Sequence, residues 1–298
     1  MKKFYLAFSF VFLSMLLLAG CVSEKETYTI TWEHDDGTTL YVDENVSSND
    51  IPVFTGTTPK REETHFYSYT FKGWTPSVGR ATEDKTYTAV FEKTNKYTDS
   101  DNLDFELLGN DTYQLNRYQV TSTDESVIIP SIYNDKPIST IKINAFNGAS
   151  NIKTLGIPSS IRDIKSGTFS NMVNLETIIV DESNSSFSSK GGLLFDKSQT
   201  TLLKYPEGRP QKTYLIPNHV TTVGEYAIFK VASLENIIIP ESVINMEWIA
   251  INRTKDLIIY TEVNSEPEGW VVGWSDPEGP VYWKGEWHLV DYGIPTPN

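Results

Sequence analysis

The sequence predicts a mainly β chain in two parts, a small β module followed by a solenoid whose stacked turns share a parallel sheet. Three observations predict it. Apolar letters recur in fixed columns through the C-terminal two-thirds. Strand-forming Thr, Tyr, Ile and Val are frequent. After the first 20 residues no long stretch keeps a helical apolar period. The columns weigh most. With Phe146, Phe169, Ile228 and Ile251 aligned, the spacings are 23, 59 and 23 residues. Ile152, Leu175, Leu234 and Leu257 stand six residues on, Leu155, Ile178 and Ile237 nine on, and Ile157, Val180 and Ile239 eleven on. Ile141, Ile164, Val223 and Met246 stand five before. A turn of this kind has a face it cannot bury alone, so successive turns stack over a common core.

In chain order, Lys2 and Lys3 precede an apolar run of 15 residues, Phe4 to Leu18. That is short for a membrane-spanning helix, which needs about 20, and it has the flanks of a secretory signal. Leu18-Ala19-Gly20-Cys21 resembles the bacterial lipoprotein signal, or lipobox. The resemblance implies a signal over residues 1–20, cut before Cys21, whose sulfur carries a diacylglyceryl group. Residues 21–26 are then a lipidated tether on the extracellular face of a cell membrane, since two acyl chains hold a protein firmly to a bilayer. Cys21 is the only cysteine, so no intramolecular disulfide can form. Without Lys2 and Lys3 the balance is 23 − 39 = −16, which repels phosphate backbones and argues against nucleic acid as a partner.

Residues 27–93 read as the first module. Tyr28 to Trp32 alternates as a half-buried strand, His34 to Gly37 supplies an Asp-Gly turn, and Thr39 to Val42 returns. Tyr67, Tyr69 and Phe71 alternate again, and Thr86 to Phe91 closes the unit. Trp32, Trp74, Tyr69, Phe71 and Phe91 are the expected core. The stretches YTITWEHDDGTTLY, YTFKGWTP and DKTYTAVFEK resemble the Listeria–Bacteroides repeat, or internalin B-repeat. That resemblance implies a β-grasp-like module of a bacterial surface protein, present here in one copy. Residues 94–103 read as a linker. Its Asp99, Asp101 and Asp104 lack the Gly and terminal Glu of a calcium loop.

Within a solenoid turn, the run L-x-x-I-x-I reads as a short strand, and stacked copies make a parallel sheet. Pro158 and Pro240 end the strand, where a missing N–H does little harm, and Asp181 departs from that rule. The stretch around NAFNGASN is expected to make one short helical turn. Val127 to Ile129 reads as an opening rung, with residues 104–126 as an N-terminal cap. Between the second and third copies, Leu193 to Phe195 and Leu202 to Tyr205 flank a polar turn at Asp196 to Thr200, an inserted β-hairpin that accounts for the long spacing. The stretches KPISTIKINAF, SSIRDIKSGTFSNMVNLETIIV and NHVTTVGEYAIFKVASLENIIIPESV resemble the BspA-like leucine-rich repeat. The resemblance covers residues 104–287 and implies a cell-surface or secreted protein, in some members an adhesin for host, matrix or other bacterial proteins. The copies depart from it at Ile228 and Ile251, which replace an aromatic, and the fourth slips after Leu257.

Side chains alternate along a strand, so columns eight and ten are expected to face solvent. Column ten holds Ile128, Gly156, Ile179 and Ile238, an apolar row proposed as the partner-binding site or covered by other parts of the chain. Near the end, Trp270, Trp274, Trp283 and Trp287 read as a cap over the last rung, with sugar stacking on their indole faces as the rival. Residues 288–298 read as a tail.

For chemistry the sequence offers little. His34, His65, His219 and His288 have no metal-ligand spacing, and no nucleophile elbow or phosphate-binding loop occurs. Glu207-Gly208 and Glu268-Gly269 are explained by turns. The expectation is a lipid-anchored binding or adhesion protein with a protein ligand, no enzyme activity and no cofactor. The alternatives are carbohydrate binding at the Trp-rich end, or a purely structural role in the cell envelope.

Overall fold

The computed structural model describes residues 25–252, 257–276, 280–290 and 293–298. The expected signal and Cys21 lie outside the described residues. Contacts divide the chain into two units: residues up to Arg61 with Thr70–Glu92, and Glu62–Tyr69 with Lys93–Asn298.

The first unit is built on β1 (Thr27–Glu33), β2 (Thr39–Ser47), β3 (Tyr67–Thr75) and β4 (Lys85–Asn95). They form one mixed sheet in the order β2-β1-β4-β3, with β1 antiparallel to β2 and parallel to β4. The Asp-Gly turn closes with Gly37 N–H donating to His34 O at 3.0 Å. Ile30, Trp32, Val46, Ala81 and Tyr87 make the core, with Phe54 and Trp74 packed on it. Trp32 is its centre, 4.7 Å from the Trp74 ring and 4.9 Å from Tyr87. Tyr87 takes the central place expected for Phe91. Phe71 and Phe91 instead pair with each other at 5.9 Å, and with Tyr69 they stay half-buried.

The second unit is the solenoid. Its cap is a hairpin, Leu103–Leu107 with Tyr113–Tyr118, whose second strand runs parallel to Lys136–Ile141. The strands Ser126–Ile128, Thr154–Ile157 and Thr177–Val180 then stack in parallel, pairing Val127, Leu155 and Ile178 in one register. The second half repeats this with Thr213–Leu215, Asn236–Ile239, Ile258–Thr261 and Val281–Tyr282. Ile237 pairs with Ile259, eight residues past Ile251 rather than nine, so the slip after Leu257 is one residue deep. The columns fill two cores, one around Leu115, Phe146, Leu155, Phe169 and Ile178, the other around Val223, Ile228, Ile237, Ile251 and Ile259. Fully burying one such aliphatic side chain contributes about 1.5–3 kcal/mol, so the repeated columns dominate the stability.

The inserted hairpin (Leu193–Asp196 with Thr201–Lys204) stands between those cores as a shared wall. Successive residues point to opposite faces of a strand. Leu194 therefore joins the first core, with Leu203 packed against it, while Leu193, Phe195 and Leu202 join the second. Asn184, fully buried, holds the chain on its way into the hairpin. Its amide donates to Pro158 O and Ile161 O, and its carbonyl accepts from Ser186 and Phe187 N–H.

Three expectations are corrected. The stretches after each strand make no helical turn. They form β-turns instead, with Ala145, Thr168, Ala227, Ala250 and Trp274 each donating its N–H to the carbonyl three residues back. The third residue of each turn has positive φ, at 60° (Asn144), 72° (Gly167), 56° (Tyr226), 45° (Ile249) and 81° (Gly273), and a left-handed residue stops a helix. The linker is not free either: Thr98 N–H donates to Ile128 O at 2.9 Å and its hydroxyl accepts from Ile128 N–H, so it extends the sheet edge. And the tail is a hairpin, Trp287–Val290 paired with Ile294–Pro297.

Candidate binding site

The outward row of the sheet face is mostly covered. In register it runs Ile128, Gly156 and Ile179, then Leu215, Ile238, Tyr260 and Tyr282. Column ten was expected to face solvent, but Ile238 is only 4% exposed and Ile128 and Ile179 are half-buried. Phe66 causes this at one end. A Cβ on Gly156 would meet both Phe66 and Ile128 at 3.2 Å, closer than ordinary van der Waals contact, so the missing side chain makes room for that ring. Beside it the Tyr67 hydroxyl donates to the Asp181 carboxylate. Asp181, standing where other copies carry Pro, also accepts from the Ser183 hydroxyl at 2.6 Å. Burial alone would raise its pKa, but these hydrogen bonds outweigh it and hold the carboxyl below its ordinary range. Tyr67 is pushed up to about 12, by burial first and by Asp181 next. At the other end Tyr260, the register partner of Ile238, lies under Tyr282 at 5.5 Å and Trp287 at 5.4 Å. The exposed Leu215 is what the row leaves bare, with Ile179 half-buried.

The four tryptophans close the solenoid rather than display their faces. Trp270 and Trp274 belong to the second core, edge to face at 4.8 Å, and Trp283 packs against it. Trp270 Nε1 donates to Val243 O at 3.1 Å and Trp287 Nε1 to Thr261 O at 2.8 Å. A buried indole has no face to stack on a sugar, which removes Trp270 and Trp274 from that role; Trp283 and Trp287 are half-buried in the cap.

The turn side is different. The second residue of each β-turn forms a column of tips, Ile143, Ser166, Glu225, Trp248 and Val272. Trp248 is 51% and Val272 94% exposed, and Ile244 and Val271 beside them are exposed too. Trp248 meets the Tyr226 ring edge to face at 5.7 Å. The αL position just behind the tips suits Asn144 and Gly167, but Tyr226 and the β-branched Ile249 hold it at a cost of about 1–2 kcal/mol each.

This row of turns has one gap. Tyr205 pairs with Ile228 and so fills the Phe column between the second and third copies. Only Leu203 and Lys204 separate it from Leu202, where the regular copies place four residues between the corresponding columns. No β-turn fits, and a notch of about 200 Å³ opens between the turn at Lys165–Thr168 and the turn at Gly224–Ala227. Phe169, Phe187 and Leu203 line it below, Tyr226, Glu225 and Glu247 along one side. Lys204 is among its lining residues, but its side chain is 4% exposed and pairs at 3.4 Å with Glu207, 1% exposed. Burial pushes the Lys204 ammonium down and the Glu207 carboxyl up, each opposed by the other's charge. Glu207 Oε1 also accepts from Asn171 N–H at 3.1 Å, while Oε2 has no hydrogen-bond partner among the described residues. Sequence reasoning explained Glu207-Gly208 as a turn and passed over Lys204. The available signal was the alignment of KINAF, KSGTF, GEYAI and EWIAI, which makes LKY two letters short.

Six copies of the BspA-type leucine-rich repeat region match residues 121–208 and 207–265. The solenoid therefore matches the BspA-type leucine-rich repeat family. Among solved structures, the pneumococcal vaccine antigen PcpA is similar at 19% identity, over 51% of this chain and 50% of that one, with a TM-score of 0.38. A leucine rich cell surface protein from Faecalibacterium prausnitzii A2-165 is similar at 15% identity, over 60% and 85%, with a TM-score of 0.34. The T. pallidum leucine rich repeat protein is similar at 18% identity, over 55% and 81%, with a TM-score of 0.37. The chain spans half the length of the PcpA structure. A comparison with curated proteins finds no match. Among the described residues no group of three or more His, Cys, Asp or Glu gathers to hold a metal.

Proposed function

We propose that this is a bacterial cell-surface protein, lipid-anchored through Cys21, that binds a protein on another surface through the turn side of its solenoid. Residues 27–93, read as a Listeria–Bacteroides repeat, act as a spacer from the membrane. The observation that carries the reading is the exposed group Ile244, Trp248, Val271 and Val272. Four large apolar side chains in adjacent turns face water, and contiguous exposed apolar surface marks interaction sites in soluble proteins. Tryptophan is also the side chain most often found at the energetic centre of an interface. Of the sheet row, Ile179 with Leu215 remains a smaller candidate contact, Ile128 and Ile238 being covered.

Adherence of bacteria carrying the full chain to host-cell and matrix-protein layers tests this. The expected result is adherence that falls to background when residues 104–298 are deleted, with Cys21→Ser releasing the protein from the membrane fraction. Unchanged adherence after that deletion would leave a purely structural envelope role instead.

A further inference from the structure

The notch on the turn side has no part in the reading above, and its chemistry is different from that of the exposed apolar tips. We propose that it is a binding site for one neutral sugar ring. Four features point there. Its volume of about 200 Å³ lies below the ~300–1,000 Å³ of drug-sized sites and suits a single ring. Its walls include two half-buried aromatic rings where a sugar presents C–H bonds, Phe187 and Tyr226. Its polar groups have both signs, with Lys165 and Lys204 as donors and Glu225 and Glu247 as acceptors. And Lys204, which also lines it, has Glu207 at 3.4 Å as its one ion-pair partner among the described residues.

Other ligand classes fit less well. An anion would meet Glu225 and Glu247 at the rim, on a chain of net charge −14. A cation would meet Lys165 and Lys204. An apolar side chain would bury Lys204 further and offer it nothing. A ring of hydroxyls can donate to the carboxylates and accept from the ammonium at once, and its C–H face can lie on the rings. Glu247 is already placed for this, since its Oε2 accepts from Glu225 N–H at 2.9 Å and so fixes the carboxylate at the rim.

Ligand-observed saturation-transfer NMR on the full chain in detergent tests the site. The probes are glucose, galactose and N-acetylglucosamine, with glucuronic acid and glucosamine as charged controls. At least one neutral sugar should bind with a dissociation constant on the order of 1 mM, and each charged counterpart at least ~10-fold more weakly. Ser166→Trp places a ring into the notch from an exposed turn tip and should cost the neutral sugar at least ~10-fold. Tyr226→Ala, which removes a wall, should do the same and covers the case in which Ser166→Trp does not fold. No saturation transfer to any neutral sugar, equal transfer in both variants, or a preference for a charged sugar would overturn the proposal. Adherence lost on deletion without any of this sugar binding would overturn the notch alone and leave the protein-binding function standing.

Discussion

The two long sides of the solenoid obey the same repeat and end up in opposite states. On the sheet face the outward letters are the more apolar, Ile128, Ile179 and Ile238, and they are largely covered. On the turn side the outward letters are mixed, Ile143, Ser166, Glu225, Trp248 and Val272, and most of them stay bare. The covers on the sheet face draw on segments outside the repeat, Phe66 at one end and Trp287 over Tyr260 at the other. Among the described residues nothing comparable reaches the turn tips. A repeat therefore dictates which letters point outward, while whether they meet water depends on segments the repeat does not contain. The conformational costs divide the same way. Strain at Tyr226 and Ile249 sits on the turn side, and Tyr226 and Lys204 line the notch.

The sharpest way to break this contrast is at the notch floor. Glu207→Ala leaves Lys204 buried without its partner and should destabilise the chain by about 3–5 kcal/mol, whereas the double change to Lys204→Met with Glu207→Leu should come out near neutral. Urea unfolding of the three chains measures both, and a single change as mild as the double would mean that the pair is solvated. Next, Gly156→Ala tests the cover on the sheet face. Its methyl would press on Phe66 and Ile128 at 3.2 Å, so a loss of about 1–2 kcal/mol is expected. An unchanged midpoint would mean that Phe66 does not rest on the row.

Swapping the αL residues should give effects of opposite sign. Ile249→Asn relieves a β-branched residue at φ 45° and should stabilise by about 1 kcal/mol, while Asn144→Ile should destabilise by a similar amount. The smallest effect is a pH dependence. Asp181 has a folded pKa below its unfolded value, so its contribution is fully present above about pH 4 and is lost as the pH falls through the folded value. Tyr67→Phe removes one of its donors, which raises that folded value. Melting temperature followed from neutral pH downward should therefore fall less steeply in acid for Tyr67→Phe than for the parent chain, from a lower starting point.

The buried columns were legible because every copy must present the same side chains to a shared interior, and Ile152, Leu155 and Ile157 carry that constraint openly. The hairpin was legible from its two apolar runs around a polar turn. Tyr205 as a member of the Phe column was not, because the shortened turn hides it from a fixed period. A short helical turn was expected around NAFNGASN, a stretch too short for a full helix, with no role assigned to its Asn and Gly. They serve instead as the left-handed residues of β-turns, a role that Tyr226 and Ile249 also fill against their preference. The cover over Ile238 depends on Tyr260, which the one-residue slip after Leu257 moves into its row.

The measurement that bears most directly on the contrast is adherence with each face altered in turn. Full chains carrying Trp248→Ser with Val272→Asp, or Ile179→Asp with Leu215→Asp, are compared with the parent on host-cell and matrix-protein layers. The account predicts a loss of at least ~10-fold for the turn-side pair and near-parental adherence for the sheet-face pair. Adherence kept by the first and lost by the second would contradict it.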